Sequence, residues 1–184
     1  MTDLAMALDT AGPKPENEAR AARLFEAPST RMSAAPSRPL VLLVEDSEDD
    51  VFFFRRTLKK IGLEHSLVHL ADGQAALDYL KQVMGGAGDP AHPVPDLVFL
   101  DLKLPTFSGF EILEWIRARE NGRALDVTIV SGSEQEADIK RAAALGVSAY
   151  CVKPVSADQV RARFDAWREA QTARDRAPGA NYHA

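Results

Sequence analysis

Hydrophobic residues become periodic at Pro39 and stay so to about residue 169. Residues 40–44 (Leu-Val-Leu-Leu-Val) form an unbroken apolar run, the pattern of a strand buried on both faces. Residues 47–61 read as a helix, because Val51, Phe54, Leu58 and Ile61 recur at helical spacing. Ser47 can cap it, the acids Glu48, Asp49 and Asp50 suit its positive end, and Gly62 can end it. The alternation then repeats. Strands are predicted over 66–70, 97–100, 127–130 and 149–152, and helices over 74–84, 108–120, 134–145 and 157–169. A Gly/Pro-rich loop covers 85–95. Five strands alternating with five helices predict an α/β fold, with a parallel sheet and helices on both faces. In such sheets a ligand crevice lies beyond the carboxyl ends of the strands.

The flanks have a different texture. Residues 1–38 hold nine Ala and four Pro and show no strand pattern, so they read as a flexible extension before a domain over 39–170. Residues 16–26 could form a helix, but one that short is marginal on its own. Residues 171–184 are polar and Ala-rich and read as a flexible tail with no further DNA-binding or catalytic module.

Composition narrows the function classes. With 184 residues, 46% of them hydrophobic, the chain can bury one core. A net charge of −5 lacks the basic footprint of a nucleic-acid binder. The single cysteine, Cys151, rules out an internal disulfide and suits a reducing compartment. Neither a signal peptide nor a membrane-length apolar run is visible, so a cytoplasmic location is expected, with no membrane or nucleic-acid partner.

The strand ends carry the chemistry. Strand one ends in Glu45-Asp46, strand three in Asp101, strand four in Ser131 and strand five in Lys153. The alternation thus delivers three carboxylates, a hydroxyl and an ammonium to one rim, and none is needed to fill a core. Clustered carboxylates repel one another, and a hard divalent cation such as Mg2+ relieves that repulsion. An Asp carboxylate can act as a nucleophile toward phosphorus if the charge on the transferring oxygens is neutralised. Lys153 and the Ser131 hydroxyl are placed to contribute.

The motifs VLLVEDSEDD (41–50), LVFLDLKLPTFSGFEIL (97–113), IVSG (129–132) and YCVKPV (150–155) resemble those of two-component response-regulator receiver domains. The resemblance spans 39–170. It implies the flavodoxin-like, CheY-like fold with strand order 2-1-3-4-5. By position it makes Asp101 the phosphoacceptor and Glu45 and Asp46 the acidic metal pair. Lys103 then supplies a backbone carbonyl to Mg2+, Ser131 and Tyr150 form the switch pair, and Lys153 is the active-site lysine before a usually cis Pro154. The switch hydroxyl is often Thr in such proteins, and Ser131 keeps the hydroxyl.

A narrower resemblance, to the single-domain regulators of phytochrome-type histidine kinases, rests on EDSEDD, the long loop before strand three, DLKLP, WIR and LGVSAYCVKPV. It implies such a kinase as partner, a histidine phosphotransfer protein as another, and no catalysis beyond the protein's own phosphorylation and dephosphorylation. It also implies a homodimer through helix four, strand five and helix five. Phe52, Pro154 and Trp167 are the candidate partner contacts. Helix one carries three successive phenylalanines, which span more than one core stripe, so at least one should be exposed.

Other features have plainer readings. Glu48, Asp49 and Asp50 read as a solvated acidic run. His65, His69, His92 and His183 lack metal-ligand spacing, Cys151 reads as buried, and Gly73 and Gly109 as turn or close-packing glycines. Haloacid-dehalogenase-type phosphatases use a similar set of groups, but with an Asp-x-Asp after strand one, where this chain has Glu45-Asp46-Ser47-Glu48.

Overall fold

A computed structural model describes residues 38–84 and 93–176. The sheet is built from β1 (Leu40–Val44), β2 (Ser66–Leu70), β3 (Leu97–Leu100), β4 (Asp126–Ser131) and β5 (Ala149–Val152). Every pairing is parallel and the order is β2-β1-β3-β4-β5, so β1, β3 and β4 are central and β2 and β5 are the edges. The helices are α1 (Glu48–Ile61), α2 (Gly73–Met84), α3 (Gly109–Arg117), α4 (Glu136–Ala144) and α5 (Ala157–Arg176), with a short 3-10 turn at Asn121–Ala124. None is long and apolar enough to cross a membrane.

Strand side chains alternate between two cores, as the period of two requires. Val41, Leu43, Leu97, Phe99, Val130 and Cys151 face α1 and α5, where they meet Val51, Phe54, Leu58, Ile61, Val160 and Phe164. Leu42, Val44, Val98, Leu100, Val127 and Ile129 face the other way, onto α2 and α3. Phe54 and Phe99 meet edge-on with ring centroids 4.8 Å apart. Each fully buried Leu or Phe contributes roughly 1.5–3 kcal/mol, so the α1 stripe fixes that helix firmly on the sheet. By contrast α4 buries only Ala142 and leaves Ile139 exposed.

Local signals explain the helix ends. Ser47 accepts a hydrogen bond from the Asp50 amide, and Gly62 closes α1 in the left-handed region. Ser108 and Glu111 form a capping box at α3. A Cβ on Gly109 would lie 2.1 Å from the Asp101 carbonyl, so glycine there lets α3 start directly against the strand-three exit. Arg117 donates to the carbonyls of Gly122, Leu125, Leu145 and Gly146, tying the end of α3 to the turns on either side.

Several boundaries differ from the sequence expectation. Helix α3 stops at Arg117, and residues 118–120, expected to continue it, lie in the turn that leads into the 3-10 segment at Asn121–Ala124. Helix α4 begins at Glu136, after a turn in which Ser133 is buried. Helix α5 runs on to Arg176, so the segment from 171, expected as a tail, begins as helix. Residues 1–37 of the expected extension over 1–38, the loop segment 85–92, and residues 177–184 of the expected tail over 171–184 lie outside the described residues.

Candidate functional site

Backbone pairing sets the rim. The Glu45 amide donates to the Leu70 carbonyl at 3.0 Å, and the Asp101 amide to the Val44 carbonyl at 3.0 Å. The Lys153 amide donates to the Ser131 carbonyl at 2.9 Å. The parallel registers therefore carry Glu45, Asp101 and Lys153 one step past their strands onto a common ledge. The Lys153–Pro154 peptide is cis. Lys153 Nζ lies 2.6 Å from Glu45 Oε2, 2.8 Å from Asp101 Oδ2 and 2.9 Å from Asp50 Oδ2. Glu45 and Asp101 are both buried.

Charge is unbalanced here. Four carboxylates gather here, and three of them, Glu45, Asp50 and Asp101, meet the one ammonium of Lys153. Burial alone would push Lys153 down, but the Asp101, Glu45 and Asp50 carboxylates outweigh it and hold the lysine above its ordinary range. Burial pushes Glu45 up, against the pull of Lys153 and with the help of the Asp101 charge. Glu45 Oε1 accepts from the Ser47 amide and Asp101 Oδ1 from the Lys103 amide, both at 3.2 Å. Asp46 is exposed and its carboxylate has no partner among the described residues. Glu45, Asp46 and Asp101 each offer an oxygen within 4.8 Å of the others. Three anionic oxygens so close, one of them uncommitted, fit a hard divalent cation.

Residues 41–165 match the response regulator receiver domain family. This chain belongs to that family. FilR2 of Methanothrix harundinacea, a probable methanogenesis regulatory protein, is 33% identical over 140 residues, covering 76% of this chain and 88% of FilR2. Response regulator Rcp1 of Synechocystis is 33% identical over 114 residues, covering 62% of this chain and 76% of Rcp1. The solved Mn2+-bound form of Rcp1 superposes with a TM-score of 0.57 at 29% identity, over 73% of this chain and 92% of that one. The bacteriophytochrome response regulator AtBRR superposes with a TM-score of 0.61 at 35% identity, over 71% and 92%.

Around the receiver rim, Ser131 is fully buried at the end of β4 and its Oγ accepts from the Ser133 amide at 3.2 Å. The Ser133 hydroxyl donates to Asp138 Oδ2 at 2.5 Å and accepts from the Gln135 amide, which turns it toward the start of α4. Tyr150 is half-buried on β5, and its hydroxyl donates to the Ser133 carbonyl at 2.9 Å. The two residues read as a switch pair thus meet through one loop, residues 132–135, although no direct bond joins them. Lys103 is exposed. His69 Nε2 lies 2.9 Å from the Glu45 carbonyl, a backbone contact consistent with an ordinary structural histidine.

One expectation needs correction. Glu48 and Asp49 are solvated as read, but Asp50 is half-buried and bonded to Lys153. Its signal was its place at the third helical position after Ser47, a position whose side chain points back over the helix start. Trp167, a candidate partner contact, is half-buried against the α1–α5 core, and its indole N–H donates to Asp96 Oδ1 at 3.0 Å. The candidates Phe52 and Pro154 stand clear, and Phe53 joins them. Phe52 is 61% exposed, Phe53 53%, and Pro154 is exposed beside the shallow recess that Phe53, Lys153 and Val155 line.

Proposed function

We propose that this receiver takes a phosphoryl group from a histidine kinase onto Asp101 and thereby switches an interaction surface. The observation that carries the reading is Lys153 Nζ held against Asp101 and Glu45, with the uncommitted Asp46 carboxylate alongside. A carboxylate oxygen of Asp101 attacks phosphorus, the phosphorus–nitrogen bond of the phosphohistidine breaks, and its electron pair returns to the imidazole. Lys153 already donates to the nucleophile and can follow charge onto the phosphoryl oxygens. Ser131 supplies a hydroxyl at the end of the neighbouring strand. Glu45, Asp46, Asp101 and the Lys103 carbonyl would hold Mg2+, which when bound supplies further neutralisation of phosphoryl charge. The groups serve the protein's own phosphorylation and dephosphorylation, not turnover of another substrate.

The kinase is proposed to be of phytochrome type, acting in the cytoplasm. Support comes from the likeness to AtBRR and Rcp1. Its docking face is proposed on α1 and the β5–α5 turn, where Phe52, Phe53 and Pro154 are exposed next to the rim. A histidine phosphotransfer protein would use the same face. Self-association is proposed through α4, β5 and α5, supported by the exposed Ile139 on the thinly packed α4. Light scattering at high micromolar concentration tests that point, and a monomer with and without a phosphoryl mimic would sink it.

The central experiment is incubation with acetyl phosphate and Mg2+, followed by mass spectrometry. One phosphoryl group on Asp101 is expected, none without the metal, and none in Asp101→Asn, whose amide is a poor nucleophile. Full labelling of that variant would falsify the assignment.

A further inference from the structure

We propose that Asp50, on α1, is a positioning residue for phosphoryl transfer that holds the Lys153 ammonium in register with Asp101. The inference rests on Asp101 being the phosphoacceptor and goes beyond it by naming a carboxylate outside the rim triad. The lysine ammonium has three N–H donors. The structure gives it three carboxylate partners: Glu45 on the β1 side, Asp101 on β3 and Asp50 on the first turn of α1, at 2.6, 2.8 and 2.9 Å. Glu45 and Asp50 together take two of the donors, which leaves the third aimed at Asp101. Without Asp50 the ammonium keeps one lateral anchor, on a flexible four-carbon stem that ends at the mouth of the site.

Asp50 has no place in the cation cluster, which consists of Glu45, Asp46 and Asp101. Its effect should therefore appear in transfer and not in metal binding. A competing effect has the opposite sign. Asp50 adds a negative charge that repels an anionic phosphodonor, and removing it would speed transfer. The Asp50 side chain is 39% exposed and so well screened, whereas Lys153 is only 15% exposed and its geometry is set by its partners. Positioning wins on those terms. The same contact joins the reactive lysine to the helix that carries the exposed Phe52 and Phe53, two and three residues further on.

The test uses the full chain with acetyl phosphate and Mg2+. Asp50→Asn keeps the shape and removes the charge. Its initial labelling rate should fall roughly three- to tenfold, less than the roughly hundredfold cost of a 1 Å misplacement, because Glu45 still anchors the lysine. Mg2+ affinity should stay within about twofold, because the cation oxygens are untouched. Asp50→Glu should recover part of the loss. In a Lys153→Ala background, Asp50→Asn should have no further effect, since its action runs through the lysine. A rate for Asp50→Asn equal to or above wild type overturns the proposal, and so does an equal loss in the Lys153→Ala background. If wild type is not labelled on Asp101 at all, the phosphoacceptor reading fails and this proposal with it. If wild type is labelled and Asp50→Asn matches it, only the positioning role fails.

Discussion

Acidic residues stand at both ends of this sheet, and the two ends do different things. At the amino end, Asp96 precedes β3 and Asp126 opens β4. Asp96 accepts from the Leu40 amide at 2.8 Å and from the Trp167 indole at 3.0 Å. Asp126 pairs with Arg163 of α5. Each of these acids meets a donor, and the donors tie α5 and β1 to the sheet. At the carboxyl end Glu45, Asp50 and Asp101 share one ammonium, and a fourth carboxylate, Asp46, has no partner among the described residues. Acids at strand ends therefore do not mark a site by themselves. The excess of negative charge over local donors does, because only the excess calls for a cation from outside. One loose end remains at the amino rim: Asp126 Oδ1 and Arg163 Nε are buried without a hydrogen bond.

The comparison can be broken first at the amino rim. Asp126→Ala leaves the Arg163 guanidinium, with its side chain 16% exposed, facing no carboxylate. Stability should fall by about 2–3 kcal/mol, somewhat below the cost of stranding a fully buried ion. The double variant Asp126→Val with Arg163→Met should lose less than the single one, because no charge is stranded. Neither should alter the initial rate of Asp101 labelling by more than about twofold at a temperature where the variant is folded. Urea titration gives the first number and acetyl phosphate labelling the second. A labelling defect at full stability would mean that the amino rim reaches the site.

At the carboxyl rim the pattern should invert. Asp46→Ala removes an exposed carboxylate that has no partner among the described residues, so stability should stay within about 0.5 kcal/mol or rise as repulsion is relieved. Mg2+ affinity should fall about tenfold or more, the scale seen when groups at a metal site are lost. Lys153→Ala should keep Mg2+ affinity, since it removes a cation from the site, yet slow labelling. Calorimetric titration of Mg2+ into each variant separates the two roles. Equal loss of affinity in both would remove the distinction between a carboxylate that holds the cation and an ammonium that guides the phosphoryl group.

The rim was readable from sequence because each strand is an apolar run that stops at a polar residue. Val44 gives way to Glu45, Leu100 to Asp101 and Val152 to Lys153, and parallel pairing forces those exits to one side. The core face of α1 was readable for the same reason of period, and Val51, Phe54, Leu58 and Ile61 are its buried residues. What escaped depends on contacts between distant segments. Asp50 sits in an acidic run that the helix dipole already explains, and its partner lies 103 residues away. Trp167 ends an apolar stripe, and nothing local says that Asp96 will take its N–H. The last turns of α5 lack apolar periodicity, yet Ala, Arg, Gln and Glu there are good helix formers, so the helix outlasts its pattern. Arg117 lies within WIR, and nothing local says that four backbone carbonyls will converge on it.

The smallest expected effect lies between the two rims' extremes, at a cation without a partner. Lys103 follows Asp101 by two residues, is exposed, and has no carboxylate on its ammonium among the described residues. Its amide is anchored to Asp101 Oδ1, which keeps the base of the side chain beside the acceptor. On the opposite flank Ser133 is small, and its hydroxyl is committed to Asp138, so it does not close the path of an attacking water. A charged lysine cannot take the water's proton, but it can contact phosphoryl oxygens and crowd the water. The aspartyl phosphate should therefore last minutes or longer. Lys103→Asn should shorten it only a few-fold, because it removes one contact and leaves Lys153 and the carboxylates in place. The measurement is decay of label after removal of the phosphodonor, at fixed Mg2+. Wild-type decay within seconds, or slower decay in Lys103→Asn, would show that the lysine does not shield the phosphoryl group.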